Sequence, residues 1–101
     1  MTTSAVARPK GLNVDEAIGM AVHARLFQEH MTRAQLATHL KVSGSVAGRK
    51  LRGIVSWSAS DVMVAASALG VDASALLPIQ LSDGSYAPQY TTRDLNPEPA
   101  D

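Results

Sequence analysis

Apolar residues recur three and four positions apart from Val14 to Leu77, the spacing of helices that bury one face. Val14, Ile18, Val22 and Leu26 line one face of a predicted helix over 14–29, with Ala17, Ala21 and Phe27 beside them. A second helix over 33–40 presents Leu36, Ala37 and Leu40. A third over 44–52 presents Ala47 and Leu51. A fourth over 59–69 presents Val62, Ala65, Ala66 and Leu69, with Gly70 placed to end it. A fifth over 73–77 presents Leu76 and Leu77 and stops at Pro78. The second and third are too short to persist alone in water, so the others must hold them.

The polar residues between these runs mark where each helix begins. Asn13 with Glu16, Thr32 with Gln35 and Ser58 with Asp61 have the spacing of reciprocal N-terminal caps. Ser43 and Asp72 are single cap candidates. Residues 1–11 read as a flexible basic arm and 12–78 as one helical domain. Residues 79–101 lose the helical period, gain Pro88, Pro97 and Pro99, and read as an extended acidic tail. Within that tail, Asp83-Gly84 between Ile79-Gln80-Leu81 and Tyr86-Ala87 is a hairpin-turn signal. A lone hairpin is marginal in water, so it would need a further strand or a surface to pack on.

Composition narrows the choices. With 46% hydrophobic residues but only four aromatics, the core must be aliphatic. The absence of cysteine excludes disulfides and thiolate metal sites. The first ten residues carry no apolar run of the kind a secretory signal needs. The longest apolar-rich run, Val62 to Val71, falls well short of the roughly 20 residues of a membrane span. A cytoplasmic protein without a membrane partner is expected.

The net charge of zero conceals a split: residues 1–53 carry eight cations against three acids, and residues 54–101 one cation against six. No acid lies between Glu29 and Asp61, and Arg33, Lys41, Arg49, Lys50 and Arg52 all fall in that gap. Two short helices with cationic exposed groups suit a polyanion, with double-stranded DNA the leading candidate. His23, His30 and His39 lack ligand-like spacing, so no metal is expected. No nucleophile–base pair or phosphate loop is visible either, so neither catalysis nor a cofactor is expected.

The stretch from Leu12 to Pro78 resembles the phage-repressor and Cro-type (XRE-like) helix-turn-helix family. The likeness rests on Leu36-Ala37 and Leu40, Val42-Ser43 at the turn, Arg49-Lys50-Leu51-Arg52-Gly53, Trp57-Ser58, Ala-Leu-Gly-Val at 68–71 and Leu76-Leu77-Pro78. It implies an all-α, five-helix, lambda-repressor-like domain whose second motif helix, around residues 44–52, enters the major groove. Gly44, Ser45, Gly48 and Arg49 would then face bases, with Arg49 the one long side chain among them. Arg33, Thr32, Lys41, Ser43, Lys50 and Arg52 are the phosphate candidates, and Arg8 and Lys10 would add arm contacts. Lys41 stands where the family often has glycine, and Arg33 where it often has glutamine.

The resemblance further implies a transcriptional regulator, repressor or Cro-like, of phage or bacterial type. It would work as a homodimer at the nucleoid, or in the host cytoplasm if phage-encoded. Leu76, Leu77, Ile79 and Leu81 form the candidate dimer seam, although Leu76 and Leu77 can equally complete the monomer core. A second reading is an antitoxin-like module whose acidic C-terminal tail orders on a partner protein.

Overall fold

The computed structural model describes residues 11–89. Helices α1 (Val14–Gln28), α2 (Arg33–Leu40), α3 (Gly44–Leu51) and α4 (Ala59–Leu69) follow one another through short connections. Three of them open on reciprocal caps: Asn13 with Glu16, Thr32 with Gln35, and Ser58 with Asp61. The Ser43 hydroxyl accepts the Val46 amide to open α3.

All four helices end the same way. A residue two or three positions past each helix returns its amide to a carbonyl of the last turn: Met31 to Leu26, Val42 to Ala37, Ile54 to Arg49 and Val71 to Ala66, at 2.9–3.0 Å. The residue before it takes a left-handed backbone. Gly53 and Gly70 do this at α3 and α4 without a β-carbon in the way, whereas His30 (φ 57°) and Lys41 (φ 61°) do it at α1 and α2.

The fifth predicted helix is instead a single 3-10 turn, Ala73–Leu76. Two local causes explain this. Asp72 makes no side-chain cap bond, and Pro78 drives the residue before it, Leu77, to extended backbone (φ −78°, ψ 147°). Nor is the domain all-α. Strand β1 (Ile79–Gln80) pairs antiparallel with β2 (Tyr86–Ala87), Ile79 opposite Ala87 and Gln80 opposite Tyr86. Gly84 turns the hairpin at φ 89°. The hairpin's support comes from the start of the domain. Leu12 bridges Tyr86 on the far side of β2, receiving the Tyr86 amide at 2.8 Å, and Ser85 is fully buried. The sequence pattern alone did not link Leu12 to Tyr86.

Ile18, Ala21, Val22 and Leu26 of α1 meet Leu36 of α2, Val62, Ala65, Ala66 and Leu69 of α4, Trp57 and Leu76 in one core. Leu76 is wholly buried there, which removes it from the expected dimer seam. It reaches the core because the 3-10 turn packs against α4 and α1. Helices α1 and α3 cross closely at Gly19, where a β-carbon would lie 2.4 Å from the Leu51 carbonyl oxygen. Arg8, Lys10 and the last twelve residues of the tail lie outside the described residues.

Two substitutions test this account in urea unfolding. Lys41→Gly relieves a left-handed lysine and should raise the unfolding free energy by about 1 kcal/mol. Gly19→Ala forces a methyl into the α1–α3 crossing and should lower it by about 3 kcal/mol.

Candidate nucleic-acid interface

Helices α2 and α3 form a helix-turn-helix. Lys41 ends α2 and Ser43 opens α3, so only three residues separate them. The position of α3 is set mainly at its C-terminal end. The Trp57 indole N–H donates to the Lys50 carbonyl at 2.8 Å, and the Trp57 amide donates to Asp15 of α1 at 2.9 Å. The Lys50 ammonium lies 5.7 Å from the centre of the Trp57 ring and donates to the Ser56 carbonyl and the Asp61 carboxylate, both at 2.7 Å.

Lys50 is therefore not the phosphate contact that the sequence suggested. Its residue is 6% exposed and its charge is spent inside the protein. The signal was there in outline, because Lys50 lies one helical turn after the fully buried Ala47. Burial by itself would raise the pKa of Asp61. The hydrogen bond from Lys50, the Ser58 amide, the Lys50 charge and the Ser58 hydroxyl outweigh it, and the carboxyl sits below its ordinary 3.8.

The opposite face of α3 is open. Nothing approaches Gly44, and Ser45 is exposed. Arg49 Nη1 donates to the Ser45 hydroxyl at 2.9 Å, one turn back along the helix, which fixes the guanidinium on this face. One donation of this kind leaves four of the five guanidinium N–H groups for a ligand. Gly48 does not stand open beside Arg49 as expected. It is buried, and what covers it is the side chain of Arg33 from α2.

Thr32 is also committed, since its amide donates to Gln35 Oε1 at 2.8 Å and its hydroxyl accepts the Gln35 amide at 3.0 Å. A phosphate at this helix start would meet the next amides, those of Arg33 and Ala34, which have no partner within the helix. The Ser43 hydroxyl oxygen caps α3 and keeps its own proton to donate. Lys41 is exposed at the turn and Arg52 at the end of α3.

Among the described residues Lys50–Asp61 is the one salt bridge, and no described carboxylate neutralises Arg33, Lys41, Arg49 or Arg52. Sequence reasoning placed Phe27 beside the core face, but it is 82% exposed. It borders a groove of about 710 Å³ shared by α1, α2 and α3, with Arg33, Gly48 and Arg52 also on its walls. Among the described residues no helix is long and apolar enough to cross a membrane, and no three His, Cys, Asp or Glu side chains gather as metal ligands do.

Four helices around a buried tryptophan clamp, with a short helix presented outward after a three-residue turn, define a helix-turn-helix domain of repressor type. Residues 14–98 match the BetR domain family, and the chain belongs to it. No curated protein matches the chain.

Three solved structures share the fold. The clp gene regulator ClgR from Corynebacterium glutamicum is 24% identical, with a TM-score of 0.59 over 61% of this chain and 66% of that one. The restriction-modification controller protein C.AhdI from Aeromonas hydrophila is 19% identical, with a TM-score of 0.57 over 61% of this chain and 94% of that one. The P22 c2 repressor in complex with a synthetic operator is 20% identical, with a TM-score of 0.54 over 59% of this chain and 91% of that one.

The clamp makes stability depend on acidity. The folded Asp61 pKa lies below the unfolded value, so the stabilisation it gives is complete above 3.8 and is lost as pH falls through the folded pKa. Lys50→Met keeps the stem but strands the carboxylate. It should cost about 3 kcal/mol at neutral pH, the low end for half of a buried pair, because Asp61 keeps 21% of its side chain exposed. Thermal melts between pH 2 and 7 should then show a flatter acid limb for this variant than for the parent.

Proposed function

We propose that this protein is a sequence-specific double-stranded DNA-binding transcriptional regulator of repressor or Cro-like type that inserts α3 in the major groove. One observation carries the reading: Arg49 stands on the open face of α3, held by Ser45, in a surface whose neighbouring cations pair with no carboxylate among the described residues. An arginine fixed in this way suits the paired O6 and N7 acceptors of guanine. Ser45 adds a hydroxyl that can reach a base or a phosphate. Lys41, Arg52, the Ser43 hydroxyl and the first amides of α2 are placed to hold the sugar-phosphate backbone on either side. Membership of the BetR domain family and the fold shared with an operator-bound repressor support the same reading.

The regulator acts as a homodimer on two half-sites about 34 Å apart. Leu77, Ile79 and Leu81 support this. All three are exposed (44%, 49% and 42%), Leu77 and Leu81 flank β1 with Ile79 on it, and the outer edge of that strand pairs with nothing among the described residues. An apolar strand edge of this kind is a ready template for a second chain.

Selection of bound fragments from random duplexes tests the proposal, and failure to enrich any sequence would refute it. Arg49→Ala should lose about 1–3 kcal/mol on the selected site and relax one base pair in each half-site. Arg52→Ala should weaken every duplex alike and flatten the salt slope by about one unit per subunit. Ile79→Glu should shift the mass in sedimentation from dimer toward monomer while leaving the helical circular-dichroism signal in place.

A further inference from the structure

The recognition helix is poorly furnished for reading bases, since Gly44 and Gly48, one turn apart, give it no side chain at either position. The structure shows what fills the second gap. Arg33, the first residue of α2, lies across the bare backbone of Gly48. A β-carbon at that position would sit 3.1 Å from Arg33 Nη1, 3.4 Å from its Cδ and 3.7 Å from its Cζ. Gly48 is buried, while Arg33 as a whole stays exposed, so the guanidinium has one side on α3 and the other toward solvent. No carboxylate among the described residues pairs with it.

We propose that Arg33 is a second specificity-determining residue: it reaches from α2 over Gly48 and supplies, at that place on the recognition face, the long side chain that α3 itself lacks. The inference rests on the DNA-binding reading above and extends it to which residues choose the site.

The chemistry follows from the geometry. Arg49 and the Arg33 guanidinium meet α3 at consecutive residues, since the glycine that Arg33 covers directly precedes Arg49. Arg49 is held by the Ser45 hydroxyl, and Arg33 lies against the bare backbone of Gly48. Their partners would be paired acceptors on neighbouring base pairs, for which guanine is the best match. A planar fork discriminates such acceptors, whereas a lysine at the same place delivers only a point charge. Glycine at 48 is then a spatial requirement, because a side chain there would take the lane in which Arg33 lies.

The test is selection from random duplexes with the full chain, comparing the parent, Arg33→Ala, Arg33→Lys and the double variant Arg33→Ala/Gly48→Arg. Each protein is first shown by thermal melting to be folded. Arg33→Ala should lose the preference at one base pair per half-site by about 5- to 150-fold, next to the pair that Arg49→Ala relaxes. Arg33→Lys should keep the affinity for unselected DNA but not the preference. The double variant, with its arginine planted directly on α3, should regain a preference at that same position. If Arg33→Ala weakens all sequences by one factor and Arg33→Lys restores the parent in full, Arg33 only neutralises a phosphate and the proposal fails. A parent that enriches no sequence would instead refute the DNA-binding reading itself.

Discussion

The ammonium of Lys50, enclosed between the Trp57 ring, the Ser56 carbonyl and the Asp61 carboxylate, is the interaction on which the placement of α3 depends. An eight-residue helix cannot persist alone. Its C-terminal turn is held from three sides. Asp61 at the start of α4 takes the Lys50 charge, Trp57 takes the Lys50 carbonyl, and Gly19 of α1 lets the Leu51 carbonyl come within what would be β-carbon contact. Removing one member of a buried ion pair costs more than the pair itself contributes, so this clamp fixes geometry more than it adds stability.

With the C-terminal end anchored, the N-terminal half of α3 is free to face outward. Of the two arginines nearest it, Arg49 is held by a hydrogen bond to Ser45 and Arg33 lies across Gly48. Ordering in the free protein lowers the side-chain entropy lost on binding. The charge split along the sequence takes on a spatial meaning here. The acid-free gap supplies the exposed cations of α2 and α3, while the one cation of that gap that is neutralised, Lys50, meets the acid that closes it, Asp61.

Much of the fold was legible in the chain. Helix starts were read from pairs such as Asn13–Glu16 and Thr32–Gln35, and these are bonds between residues three apart that need no tertiary partner. Lys41, which the resemblance placed where glycine is often found, does take the left-handed backbone. The fifth helix was misread because Leu76 and Leu77 have helical spacing, yet Pro78 and an uncapped Asp72 leave room for only one turn. In the candidate site, Arg49 and Ser45 were expected from their place in the motif, and the structure joins them by a hydrogen bond on α3. Lys50 was misassigned because a lysine is ordinarily solvated, and only the approach of Asp61, eleven residues later, makes its burial tolerable.

The sequence by itself determined where the helices run, how they are capped and which stretch is cationic, because these depend on neighbours one helical turn away. Only the tertiary structure decided which cations face outward, that Leu76 belongs to the core, that Leu12 props the hairpin through Tyr86, and that an arginine of α2 covers a glycine of α3. Those outcomes turn on which surfaces meet when the helices pack, and residues far apart in the chain carry no local signal of that meeting.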